Sequence, residues 1–394
     1  MRYAIIGNGV AGITAAQAIR EADPAGDIVM FTSEALPFYS RIRLIDYLAD
    51  RVDESGLVLR KAQWYADNRV ELHLETPILK VAPQQREVLA AAGRRFAYDR
   101  LLFATGAVPM RPPIPGVDRQ GVFTLRTVAD GRRIRAAAGQ GKKAVLIGGG
   151  VLGLEAGWSL LQQGCEVTVV EVIDRLLPRQ MDTRGSLLLR QKLQGMGFRF
   201  LLGEQCRELS GGDRVAGVRL ESGKELAADF VLISAGIIPA EQLAAEAGIA
   251  VRRGIVVDER MRTSAPDIYA AGDCVQCGSH GAGLWSSAME MGRVAGVNMA
   301  GGEEVIGNIV PASTLKVAGV PLFSVGRIDA DGELSAEVVA GDGRYRKLVF
   351  DGAGRPVGAI LFGDLAGRRQ IAEAIGGGKA LSREEGQRLL AGGQ

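Results

Sequence analysis

Reactive side chains are scarce in this chain, with four cysteines, two histidines and three tryptophans among 394 residues. With so few histidines and no paired nucleophile and base in view, any reaction has to be carried by a bound cofactor. Four irregularly spaced cysteines make no disulfide framework and suit a reducing compartment, so the cytoplasm is the expected location. Charge of one sign is lacking too. The 47 Lys and Arg are interspersed with 45 Asp and Glu, a net +2, which excludes the basic stripe of a nucleic-acid binder. Long apolar runs are missing as well. The stretch 145–161 is rich in glycine and carries Glu155, so no span is expected to cross a bilayer. The N-terminus enters the apolar segment Tyr3-Ala4-Ile5-Ile6 with no charged leader, and no secretory signal is expected. What remains is an ordinary globular composition, 47% hydrophobic and 23% charged, on a chain long enough for two or three domains.

Glycine, by contrast, is abundant. There are 54 in 394 residues, about twice the usual share of ~7%, so close backbone approach is needed repeatedly. A search for internal similarity finds part of the reason. Tyr3-Ala4-Ile5-Ile6-Gly7-Asn8-Gly9-Val10-Ala11-Gly12 recurs as Ala144-Val145-Leu146-Ile147-Gly148-Gly149-Gly150-Val151-Leu152-Gly153.

In the first copy a short apolar strand delivers Gly7, Gly9 and Gly12, and a helix is expected over 13–22. Gly7 permits a tight turn, Gly9 lets a pyrophosphate approach the backbone, and Gly12 allows the helix to pack closely on the strand. The helix N-terminus adds unpaired N–H groups and partial positive charge. A second strand, 28–32, ends near Glu34, which suits an acceptor for ribose hydroxyls. The second copy repeats the pattern with Gly148, Gly150 and Gly153, a helix over about 154–163, and the strand 166–170 ending at Glu171. A lone GxGxxG string is weak; two copies, each with strand, helix and terminal acid, are not.

Glu171 also bears on the choice of nicotinamide cofactor. A 2′-phosphate ~4 Å from a carboxylate is repelled by about 4 kcal/mol per charge pair at an effective dielectric of about 20. NADH is therefore expected over NADPH. Arg175, four residues on, is the dissenting residue, since an arginine there can accommodate a 2′-phosphate.

With two such units, the chain resembles the two-dinucleotide flavoprotein disulfide reductase superfamily over nearly its whole length. The resemblance implies an α/β fold with two Rossmann-like dinucleotide-binding domains, glutathione-reductase-like. The NAD domain (113–239) is inserted between two parts of the FAD domain (1–112 and 240–309), and a small C-terminal α+β domain (310–394) follows. Leu102-Phe103-Ala104-Thr105-Gly106-Ala107-Val108-Pro109 looks like the exit from the FAD domain, which would put Thr105 and Gly106 near the flavin phosphates. Val231 to Pro239 looks like the return. The motif Thr263 to Cys274 resembles the second FAD motif, in which Asp273, after Gly272, would accept hydrogen bonds from the ribityl chain.

The family's Cys-x4-Cys pair is absent, and the first cysteine is Cys165. In its place, Leu36-Pro37-Phe38-Tyr39-Ser40-Arg41-Ile42-Arg43-Leu44 is similar to the segment of NADH:rubredoxin oxidoreductases and of nitrite reductase flavin domains, which would put Arg41 by the cofactor. The segments 174–182 and 311–319 also look like this group. By the same resemblance Ile78, Arg126 and Trp285 would contact flavin, and Glu155 would help orient the nicotinamide. Cys274, Cys277 and His280 raise two alternatives, a redox dithiol and a zinc site. The first needs a helix N-terminus or a cationic neighbour, the second a fourth ligand that no other Cys or His cluster offers, and neither is expected.

Beyond residue 309, alternating segments flank Asp351-Gly352-Ala353-Gly354-Arg355-Pro356, a hairpin signature. A helix is expected around 368–375, and the glycine-rich tail past Gly376 is expected to fray. The C-terminal domain of such reductases forms a dimer in many members and not in others. The function implied is hydride transfer from NADH to flavin N5, with electrons passed to a small redox protein such as rubredoxin. The alternatives are an electron-input subunit of nitrite or nitrate reductase, an NADH oxidase, and a non-enzymatic FAD and NADH redox sensor resembling apoptosis-inducing-factor-like proteins.

Overall fold

A computed structural model describes residues 1–276, 283–307, 312–341 and 343–392. Cys277, His280 and Pro311 lie outside the described residues. The chain divides into two compact units. The first is Met1–Arg43, Val52–Val108 and Ile237–Ile309; the second is Leu44–Arg51, Pro109–Gly236 and Val310–Gln394.

The first unit is built on a parallel sheet in the order Ile268–Ala270, Arg100–Phe103, Arg2–Ile6, Asp27–Phe31, Val70–His73. Its inner strands, Arg2–Ile6, Asp27–Phe31 and Arg100–Phe103, are apolar after their first residue because both faces are covered, and Ile5, Met30, Leu102 and Phe103 are fully buried. The helix Val10–Ala22 carries alanine along its buried side and packs against the helix Trp285–Met299. A Cβ at Gly292 or Gly296 would overlap the backbone of Ala11 or Ala15, so the close contact depends on those two glycines.

The second unit repeats the design in the order Arg199–Leu202, Glu166–Glu171, Lys143–Ile147, Phe230–Ile233, Val122–Thr124, again all parallel. It also holds a five-stranded antiparallel sheet, Ala312–Val317, Val320–Gly326, Pro356–Phe362, Arg344–Phe350, Ser335–Gly341. Asp351 N donates to Arg355 O (3.0 Å) in the expected hairpin turn. The mixed α/β class with paired Rossmann-like sheets is therefore as expected.

Residues 44–51 fall in the second unit: Tyr47 packs on Gly131, Arg135 lies over the Tyr47 ring at 4.4 Å, and Ser159 Oγ donates to Ile45 O at 2.8 Å. Two expectations need correction. Both glycine-loop helices start three residues earlier than expected, at Val10 and Val151, because Gly9 and Gly150 are themselves the extended N-caps. The tail past Gly376 forms the helix Arg383–Ala391. Its Ser382/Glu385 capping box satisfies the first-turn N–H groups, and Leu390 is buried in the sheet's core.

Candidate functional site

The two glycine loops have the same local geometry. Gly7 (φ +120°) and Gly148 (φ +114°) turn where a side chain would overlap the carbonyl oxygens of Ala104 and Ser234. Gly12 and Gly153 press against the carbonyls of Gly7 and Gly148, which brings each helix onto its strand. Gly9 and Gly150 have no atom within 4 Å of a built Cβ, so each loop presents open space over bare backbone at a helix start. That is the space a pyrophosphate requires.

Around the first loop, the Tyr65 hydroxyl donates to Asn8 Oδ1 (2.9 Å) and accepts from Phe38 N (3.0 Å). Burial pushes the Tyr65 phenol above its ordinary pKa, so it stays a donor. Asn8 Nδ2 is buried with no hydrogen-bond partner among the described residues. An orphaned donor inside the loop is a poor fit to a purely structural turn and a good fit to an anionic ligand. Glu34 and Arg41, both expected at the cofactor, meet in an ion pair of 2.5 Å, and the Tyr39 hydroxyl donates to the other Glu34 oxygen at 2.5 Å. Phe38 is buried and stands 5.9 Å from the Trp285 ring, at the start of its helix.

The Thr105 hydroxyl donates to Ala240 O (2.8 Å), and Gly106 takes φ +71°. Gly272 (φ +86°) sits against Ala11 in the first glycine-loop helix, which brings the turn of Asp273 beside that helix. Asp273 Oδ1 accepts from Gly283 N at 2.8 Å. Ile78 opens an antiparallel strand and packs on the unit's core. Cys274 is fully buried, and its thiol donates to Ala271 O (3.3 Å) and Phe103 O (3.5 Å). Burial pushes the thiol above its ordinary pKa, the opposite of a reactive thiolate. Among the described residues no group of three or more metal-ligating side chains forms, and no helix is long and apolar enough to cross a membrane.

In the second unit Glu171 is 8% exposed and accepts from Gly149 N (2.6 Å) and Ile173 N (2.9 Å). Each oxygen keeps a second lone pair for a ribose hydroxyl. Glu155 lies in the helix after the loop, and one of its oxygens accepts from Ala318 N (3.0 Å), in the turn between the strands Ala312–Val317 and Val320–Gly326. That contact was not visible in the sequence, and neither was the pairing of Asn8 with Tyr65; both join residues far apart in the chain with no periodic signal. Arg126 stands immediately before the capping box of Thr127 and Asp130, its backbone N–H donating to Asp130 (3.0 Å). Two surface clefts of this unit, about 600 and 540 Å³, are lined by residues such as Pro113, Arg119 and Arg133 and by none of the glycine-loop residues.

Residues 1–292 match the family model described as pyridine nucleotide-disulphide oxidoreductase, and residues 311–379 match that of the rubredoxin NAD+ reductase C-terminal domain. The chain is 39% identical over 364 residues to a protein of Bacillus subtilis named nitrite reductase [NAD(P)H], covering 91% of this chain and 45% of that one. It is 34% identical over 378 residues to the ferredoxin–NAD(+) reductase component of the biphenyl dioxygenase system of Paraburkholderia xenovorans, covering 94% and 89%. Among solved structures, NADH:rubredoxin oxidoreductase from Clostridium acetobutylicum superposes with a TM-score of 0.83 at 26% identity, covering 99% of this chain and 98% of that one. The chain spans about half the length of the nitrite and nitrate reductase relatives it matches.

Proposed function

The chain belongs to the pyridine nucleotide-disulphide oxidoreductase family, and on that premise we propose that it is an FAD-dependent NADH oxidoreductase that delivers electrons to a small redox protein of the rubredoxin type, without a redox-active disulfide. The observation that carries this reading is the pair of glycine loops, each open over its second glycine and each followed by a carboxylate after the next strand, Glu34 three residues past Phe31 and Glu171 as the strand's last residue. Bound there, the two cofactors supply hydride exchange and the release of electrons one or two at a time.

The chain's own residues hold and orient. In the first unit the backbone at Gly9 and the orphaned Asn8 amide face a pyrophosphate, Glu34 with Arg41 addresses the adenosine side, and Asp273 takes the ribityl hydroxyls. In the second unit Gly150 and the helix start take the other pyrophosphate, Glu171 accepts from the ribose, and Glu155 positions the nicotinamide. Cys274 keeps its proton and stays out of the electron path. The match of residues 311–379 to a rubredoxin reductase domain supports the rubredoxin-type acceptor.

The 39% identity to a nitrite reductase favours a second reading, in which the same flavin chemistry feeds a nitrite or nitrate reductase. Anaerobic stopped-flow mixing with NADH, then with oxidised rubredoxin or with air-saturated buffer, separates the outcomes. Rapid bleaching by one NADH per flavin, with fast reoxidation by rubredoxin alone, is the expected result. Reoxidation by dioxygen alone makes the protein an oxidase. Fast bleaching with no reoxidation by either favours the nitrite reductase reading, and slow bleaching to a long-lived complex favours a sensor.

A further inference from the structure

Two turns that join strands of the antiparallel sheet reach residues beside the second glycine loop that bear on nicotinamide recognition. One is Glu155, through Ala318 N. The other is Arg175, in the loop after the strand Glu166–Glu171. That loop folds back on the glycine turn, with Leu177 N donating to Gly149 O (3.1 Å) and Leu176 and Leu177 fully buried. Arg175 is mostly enclosed, its side chain 19% exposed, and its Nε is buried with no hydrogen-bond partner among the described residues. Its terminal nitrogens reach two carboxylates only at long range, Asp174 at 3.5 Å and Asp331 at 3.9 Å. A half-buried guanidinium with an unsatisfied Nε, four residues past the ribose-binding acid, is the group a 2′-phosphate would call for.

Asp331 has a side chain 78% exposed, on a loop that is itself fixed. Its loop is pinned by Asp329 (φ +51°), whose carboxylate accepts from Glu333 N (2.9 Å) and Leu334 N (3.2 Å). Lys347 Nζ donates to Asp329 O (2.7 Å) and pairs with Asp182 (3.1 Å), which also accepts from the Tyr345 hydroxyl (2.5 Å). Asp182 is the N-cap that closes the Arg175 loop. The two loops are therefore tied together by a buried Lys–Asp–Tyr cluster, and Asp331 is presented to Arg175 from a fixed base.

We propose that Arg175 is a latched counter-ion for a 2′-phosphate and that Asp331, from the turn between the strands Val320–Gly326 and Ser335–Gly341, is the latch, so that this turn takes part in selecting NADH over NADPH. The inference rests on the second glycine loop binding a nicotinamide dinucleotide. With Arg175 drawn toward Asp174 and Asp331, Glu171 faces the ribose edge without a cation to offset it, and the unphosphorylated ribose is preferred. Neutralising Asp331 frees the guanidinium and shifts the balance.

The test is calorimetric titration of the full-length flavin-loaded protein with ADP-ribose and with 2′-phospho-ADP-ribose, which requires no turnover. In Asp331→Asn the ratio of the two affinities moves about tenfold toward the phosphorylated ligand. In the Arg175→Ala/Asp331→Asn double variant that gain disappears. A gain that persists in the double variant means that removing a negative charge acted without Arg175 and overturns the latch, and so does an unmoved ratio in Asp331→Asn. If ADP-ribose binds the unsubstituted protein but the ratio does not respond, the latch alone fails. If ADP-ribose binds to none of the proteins, the nucleotide reading of the second loop fails with it.

Discussion

The two glycine loops superimpose in logic down to the carbonyl each glycine presses on, yet their closing acids live in different surroundings. Glu34 is partly exposed and balanced by a cation, Arg41, with a tyrosine hydroxyl on its other oxygen. Glu171 is buried and held only by backbone N–H groups. One loop has a neutralised acid; the other keeps an uncompensated negative charge fixed by amide dipoles. A shared motif therefore does not give a shared electrostatic site. On the proposed function, the second site would repel a phosphate on the ribose and the first would not.

The comparison breaks most sharply if a carboxylate is placed in each loop. Gly9→Asp is expected to yield protein without bound flavin. Gly150→Asp should stay yellow but lose at least about a hundredfold in kcat/KM for NADH, near 2.7 kcal/mol. Absorbance on purification and an anaerobic NADH titration read both, and loss of flavin from both variants would erase the assignment of one cofactor to each loop. Next come Gly12→Ala and Gly153→Ala, where the added methyl meets a carbonyl oxygen in each case. Overpacking of this kind costs roughly 2–3 kcal/mol. Denaturant unfolding should show the larger loss for Gly12, whose nearest atom is closer.

The closing acids sharpen the contrast further. Glu171→Gln sets an amide N–H against a backbone N–H and should lose about 1.5 kcal/mol of stability. Glu34→Gln breaks a partly exposed pair and should lose at most about 1 kcal/mol. Equal losses would show the two environments to be energetically the same. The smallest effect is at Cys274. Because burial raises its pKa, the thiolate fraction stays low at pH 8, and iodoacetamide should label it only after denaturation. Cys274→Ala should leave the titration at one NADH per flavin, and an endpoint that moves in that variant would bring the thiol into the electron path.

Much of this arrangement was legible in the sequence because strand, turn and helix are set by local spacing. Gly7, Gly9 and Gly12 must fall where a strand gives way to a helix, and their repetition at Gly148, Gly150 and Gly153 marks the second sheet. What was not legible depends on contacts distant in the chain. Nothing local sends residues 44–51 to the second unit; Tyr47 goes there because Gly131 leaves room for its ring. Ala318 on Glu155 and Asp331 near Arg175 are pairings across about 160 residues, read from the hydrogen bond and the ion pair. They leave no periodicity to detect. The tail helix is a different case, since Ser382 and Glu385 carry the capping spacing in plain view among glycines and charges.

The first unit's parallel sheet takes its edge strand, Ile268–Ala270, from a point 165 residues beyond the end of its neighbour, Arg100–Phe103 (103 to 268). Its covering helix, Trp285–Met299, comes later still. At a synthesis rate of about 5–20 residues per second, the early strands wait roughly 8–33 s on the ribosome with an unpaired edge and an uncovered helix. Meanwhile the whole of Pro109–Gly236 has been made and can close its own parallel sheet. Of the two parallel sheets, the one begun first is thus the last to be closed.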